Sequence, residues 1–145
     1  MARSEASFKL IKAARIIDGT GAPPLERGAV LLEDGRVRAV GSEETVVPPE
    51  GATVEEFNYE DRTVLPGLVD CHTHLCAPGD GTPGDDVAAE EDDILLLQAA
   101  KNARTILHSG VTTIRENGAK NSVTISLKEG IRRRLAPGPR MVICG

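Results

Sequence analysis

From Thr63 onward the chain alternates between apolar strand-like runs and helix-period segments, and this alternation limits the folds open to it more than any other feature. Thr63-Val64-Leu65-Pro66-Gly67-Leu68-Val69-Asp70 reads as a buried strand interrupted by Pro-Gly. Asp92 to Ser109 carries Leu96, Ala99, Ala100, Ala103, Ile106 and Leu107 on one helical stripe, and Gly110 follows as a C-terminal glycine would. Val111 to Ile114 reads as a strand. Ser122 to Leu135 reads as a second helix, broken by Pro137-Gly138-Pro139, and Met141 to Cys144 as another strand. Strands separated by helices in this manner lie parallel, with the helices as crossovers. A sheet of three such strands has a bare edge, and a closed eight-stranded barrel takes about 200 residues or more. The expectation is therefore an α/β fold that is incomplete within this chain.

The first sixty residues have a different character. Phe8 to Ile17 is rich in branched residues and is followed by the turn signal Asp18-Gly19-Thr20-Gly21. Ala29 to Leu32 and Val37 to Val40 flank Glu33-Asp34-Gly35-Arg36. An Asp-Gly pair between two apolar runs predicts a hairpin, because its tight turn needs positive φ. Thr53 to Tyr59 adds a further candidate strand after the break at Pro48-Pro49. Two domains are expected: a small β lobe over residues 1–62 and the βα units over 63–145.

Composition narrows the function classes. With two Phe, one Tyr and no Trp, the chain lacks the aromatic platforms on which unpaired bases stack. Its net charge of −5 repels a phosphate backbone. The basic cluster Arg132-Arg133-Arg134 lies in a predicted helix and reads as a solvated face. No apolar run reaches the roughly 18 residues of a membrane span, and the N-terminus has no apolar signal core. Cys71, Cys76 and Cys144 show no framework spacing, which favours free thiols in a reducing compartment and hence the cytoplasm. Nucleic acid and membrane are not expected partners.

The chemistry is concentrated in His72-Thr73-His74, at the C-terminal end of a predicted strand. Residues i and i+2 of a strand point to the same side, so both imidazoles can converge on one point. Neutral imidazole is a good ligand for zinc and related divalent ions. Two ligands do not hold a catalytic metal, which needs a third or fourth from elsewhere and a position open to water.

The run Val64-Leu65-Pro66-Gly67-Leu68-Val69-Asp70-Cys71-His72-Thr73-His74-Leu75 resembles the signature of the amidohydrolase superfamily at its first barrel strand. Ala14-Arg15-Ile16-Ile17-Asp18-Gly19 and Leu32 to Gly41 resemble that superfamily's small β-sandwich lobe. Gly110 to Arg115 and Pro137-Gly138-Pro139-Arg140 are similar to the second and third strand regions of its imidazolonepropionase-like and Xaa-Pro-dipeptidase-like branch. The resemblance implies a (β/α)8 TIM-type barrel preceded by a β-sandwich lobe, with one or two divalent ions, most often zinc. It assigns His72 and His74 to the metal. Further ligands would come from later strands, and an Asp on the eighth strand, outside this chain, would handle the proton while activated water attacks a carbonyl or phosphoryl centre.

Other residues carry supporting expectations. Asp70 is read as steadying the strand end or orienting a histidine. Glu116 is read as an ion-pair partner of Arg115, with a place at the site rim as the alternative. His108 complements the dipole at its helix terminus. Cys71 alternates away from the histidines and reads as core, while Cys76 lies near the metal end as a minor candidate ligand. Asp85, Asp86, Glu90, Glu91, Asp92 and Asp93 are read as solvated, the last few favouring a helix N-terminus.

Two accounts follow. In the first, the chain is the N-terminal part of a metal-dependent hydrolase of C–N bonds acting on a small amide or peptide-like substrate. A second polypeptide completes it, either separate or released by cleavage after Gly145, and the assembly is oligomeric. In the second, it is a non-catalytic, amidohydrolase-like folding or interaction module.

Overall fold

Asp34 and Gly35 adopt φ of 50° and 76°, the left-handed pair that a two-residue hairpin turn requires. They join β2 (Leu25–Glu33) to β3 (Arg36–Ser42), with Glu33 opposite Arg36. β1 (Phe8–Ile16) runs antiparallel to β2 from Phe8↔Glu33 to Ile16↔Leu25. Beyond it lies β4 (Val54–Val64), parallel to β1. The computed structural model describes residues 6–144. Residues 1–5 and Gly145, with the expected cleavage point behind it, lie outside the described residues.

These strands form one sheet of four in the order β3-β2-β1-β4. Phe8, Leu10, Ala29, Leu31 and Val46 form one buried cluster, and Ala13, Ile16 and Val30 another. The lobe expected as a sandwich is thus a single layer among the described residues. β4 pairs edge to edge with β1 instead of stacking across it. β4 is also longer than expected. Ala13↔Tyr59 is followed by Arg15↔Thr63, so β4 accommodates extra residues there and continues to Val64, whose carbonyl accepts the Ile17 N–H at 2.9 Å. Thr63 and Val64, expected in the first barrel strand, therefore belong to this sheet. One compact unit ends at Pro66 and the other begins at Gly67.

In the second unit β5 (Leu68–Thr73), β6 (Val111–Glu116) and β7 (Arg140–Ile143) are all parallel, in the order β5-β6-β7. Two helices form the crossovers. A short helix, α1 (Gly84–Ala89), precedes them. The first crossover is α2 (Asp92–His108) and the second α3 (Val123–Arg132). α2 buries Ala99 and Ala103 of the expected stripe together with Leu95, which was not on it, while Leu96, Ala100 and Ile106 are partly buried. The three buried residues pack with Ile114 of β6, Val123 and Leu127 of α3, and Met141 of β7. The chain is α/β with parallel strands in this unit, as the alternation predicted. No described helix is long and apolar enough to cross a membrane.

Cys71 departs from its expected place in the core and is exposed. β5 is an edge strand, and of its six residues only Thr73 is buried. The Arg132 cluster is solvated as expected. Arg132 and Arg133 both donate to Glu129, at 2.6–2.7 Å. These bonds pull the Glu129 carboxyl from 4.5 down to about 2. A depressed folded-state value means that the pair's contribution is present above about 4.5 and fades as pH falls toward 2. The Glu129 side-chain carboxyl carbon, followed by NMR, is expected to titrate near that lower value, and 0.5 M salt is expected to move it back up.

Candidate metal centre

The convergence of the two histidines begins with a local irregularity of β5. Asp70 pairs with Ile114, yet Thr73 pairs with Glu116, so three steps along β5 match two along β6. A bulge of this kind bends a strand and re-aims its side chains. Within it, the Asp70 carboxylate accepts the His72 backbone N–H at 3.0 Å. The reading of Asp70 as a strand-end support agrees with that bond.

His72 occupies the last turn of the pleat and His74 the first residue past the strand. Their rings meet edge to face, centroids 5.1 Å apart at 66°, and the two Nε2 atoms are 3.2 Å apart. Two nitrogens each about 2.0–2.1 Å from a shared tetrahedral zinc lie about 3.3–3.4 Å apart. The observed spacing fits such an ion. It also fits one N–H···N bond between neutral rings, which an ion would replace. His74 Nδ1 faces the Gly118 carbonyl at 3.4 Å. An Nδ1–H directed there leaves the lone pair on Nε2, the arrangement by which ligating histidines are commonly oriented. Both side chains are exposed, so an incoming group can reach them. No cluster of three or more His, Cys, Asp or Glu able to hold an ion occurs among the described residues. Among the described residues the pair stands as two imidazole donors at one point.

Cys76 is buried in the core beside α2. Burial first, then the nearby charges of Glu116 and Asp92, pushes its thiol above the usual range. This favours the neutral S–H over the thiolate that a metal takes. His108 is exposed in the last turn of α2, where a terminal cation was expected. The acidic stretch is less uniform than expected. Asp92 accepts from Asn121 at 2.9 Å and approaches Lys120 Nζ at 3.5 Å, and Lys120 also donates to the Glu90 carbonyl at 2.7 Å. Together these tie the loop after β6 to the start of α2.

The expected Arg115–Glu116 ion pair is corrected by the structure. Neighbours on a strand point to opposite faces. Arg115 is exposed, whereas Glu116 is 1% exposed. Glu116 Oε2 accepts the Leu75 backbone N–H at 2.9 Å and the Thr73 hydroxyl at 3.1 Å. On the far side, Asn102 of α2 donates to the Leu75 and Ala77 carbonyls at 2.9 and 2.8 Å. Sequence reasoning missed both anchors. Their signals were present: Glu116 shares alternation parity with Ile114, and Asn102 is a polar residue next to the apolar stripe of α2. Beside His74 an open cavity of about 530 Å³ is walled mainly by Val87, Ala88, Leu95 and Ala119, with Lys120 among its lining residues.

Comparison with known proteins shows what the chain is similar to. The imidazolonepropionase of Symbiobacterium thermophilum is 30% identical over 124 residues, covering 75% of this chain and 29% of its own. A crystal structure of a Xaa-Pro dipeptidase superposes with a TM-score of 0.78 at 26% identity, covering 96% of this chain and 33% of its own. Molinate hydrolase superposes at 0.79 with 26% identity, covering 97% and 30%. The chain thus spans about a third of the length of these relatives. Residues 63–145 match the amidohydrolase family. On that match, which takes in the histidine pair and the parallel strands β5, β6 and β7, the chain belongs to the amidohydrolase family.

Proposed function

We propose that this chain is the N-terminal part of a metal-dependent hydrolase that cleaves a C–N bond in a small amide or peptide-like substrate. The observation that carries the reading is the 3.2 Å approach of His72 Nε2 to His74 Nε2 at the C-terminal end of a parallel strand. Side chains at that end of βα strands are where barrel enzymes place their chemistry. His72 and His74 are the first ligands of one or two divalent ions, zinc being favoured by the all-imidazole donors. Such an ion supplies Lewis acidity and brings the pKa of a water toward neutrality.

The chain's own residues bind and orient. Asp70 fixes the His72 backbone, and the Gly118 carbonyl sets the His74 tautomer. The apolar cavity beside His74 receives an uncharged part of the substrate, with Lys120 as a cationic group in its wall. The amide-like substrate class is supported by the relatives named imidazolonepropionase and Xaa-Pro dipeptidase. The remaining ligands and the proton-handling Asp belong to further polypeptide that closes the (β/α)8 barrel, and the assembly acts in the cytoplasm as an oligomer. Without that polypeptide the chain is inactive.

Native mass spectrometry with metal analysis, on protein purified from its natural expression context, tests this. The expected species combines this chain with about 200–300 further residues and one or two divalent ions, and hydrolyses Xaa-Pro dipeptides or related amides. A lone, metal-free chain without hydrolytic activity would instead establish the non-catalytic module, a reading favoured by the lack of a third ligand among the described residues.

A further inference from the structure

The buried carboxylate at the end of β6 has a placement that core packing does not explain. Glu116 is 1% exposed, and its Oε1 has no hydrogen-bond partner. A buried polar atom left unpaired costs free energy, so a side chain serving only to fill this space would be better apolar. What the carboxylate does accomplish is local. Its other oxygen, Oε2, takes the Thr73 hydroxyl and the Leu75 backbone N–H, which belong to the residues on either side of His74. The Thr73 hydroxyl is also 3.1 Å from the Arg115 carbonyl, and the Asn117 N–H donates to the Thr73 carbonyl at 2.9 Å. Asn102 holds the Leu75 and Ala77 carbonyls from the helix side.

We propose that Glu116 is a positioning residue for His74: it clamps the two flanking residues through one oxygen and thereby holds the His74 ring against His72. The inference rests on the reading of these histidines as ligands. His74 lies past the end of β5, where no ladder bond fixes it, whereas His72 lies within the strand and has its amide held by Asp70. Losing the Glu116 acceptor therefore releases His74 selectively. Gln at 116 keeps an acceptor oxygen at the Oε2 position and places its amide NH2 at the unpartnered site. Ala removes the acceptor and leaves the Leu75 N–H unmet.

The chain has three histidines, so its imidazole NMR spectrum separates His74 from His72 and from the remote control His108. In folded Glu116→Ala the His74 ring signals are expected to shift and broaden while those of His72 and His108 hold. In the assembled enzyme, Zn2+ affinity should fall roughly ten- to hundredfold, as for other groups that orient a ligating histidine. Glu116→Gln should restore both readouts to near wild type. Unchanged His74 signals in Glu116→Ala, equal changes at all three histidines, or a Gln variant as disturbed as Ala would overturn the proposal. If Glu116→Ala does not fold, Thr73→Val decides by the same spectrum. It removes one of the two clamped donors, and a His74 ring indistinguishable from wild type would count against the clamp. Failure of the assembled wild-type enzyme, with the polypeptide that completes it, to take up Zn2+ would sink the metal reading alone, since the ring spectra of the metal-free chain still test the positioning role.

Discussion

Replacing His74 with Ala is expected to abolish tight metal retention and, with it, hydrolysis by the assembled enzyme. Structural zinc sites with four ligands bind with about 10–16 kcal/mol, so one ligand represents about 2.5–4 kcal/mol, or roughly a hundredfold to a thousandfold in affinity. His72→Ala should cost a similar amount. The two substitutions should not add in activity, because a site that has lost its ion has little left for the second change to remove. Both side chains are exposed, so the fold should tolerate either change within about 0.5 kcal/mol. Metal content after dialysis, read beside a denaturation curve, separates the two effects. Retention of stoichiometric metal by the double variant would show that the ion sits elsewhere.

The largest stability effect is expected from Ile114→Ala. Ile114 is completely buried at the middle of β6, among residues from α2, α3 and β7. Deleting its branched side chain should destabilise this unit by about 2–5 kcal/mol, the spread reflecting how far the neighbours close the cavity. The described helices all belong to this unit, so circular dichroism at the helix band follows its unfolding in urea. A midpoint lower by less than the equivalent of about 1 kcal/mol would mean that the helices do not rely on Ile114 for their seat.

These expectations draw on features of unequal legibility. The hairpin at Asp34-Gly35 and the helix ending at Gly110 were readable because backbone conformation there depends on one or two residues. The parallel sheet was readable from the alternation of strand and helix periods, and the meeting of His72 with His74 from their i, i+2 spacing. What failed depended on partners distant in sequence. Thr63 and Val64 looked like the start of the next strand, yet pairing with Arg15 and Ile16 drew them into the first sheet. Cys71 has core-like parity, but parity buries a residue only where a neighbouring layer covers that face. Glu116 and Arg115 are adjacent in sequence, and the pleat that separates them was not weighed against the attraction of opposite charges.

The position of β1 between β2 and β4 also sets an order of events during folding. The β2–β3 hairpin joins residues only a few positions apart and can close within about 1–10 μs. Pairing of β1 with β4 joins Phe8 to Val54 and must first absorb the entropy of a much longer loop. On a ribosome, β1 can meet β2 well before β4 has emerged, so one flank of β1 waits for the segment that leads into the histidine-bearing unit. Pulse-labelling hydrogen exchange should find the amides of β2 and β3 protected first and those of β4 last. Simultaneous protection across all four strands would mean that the sheet condenses in a single step.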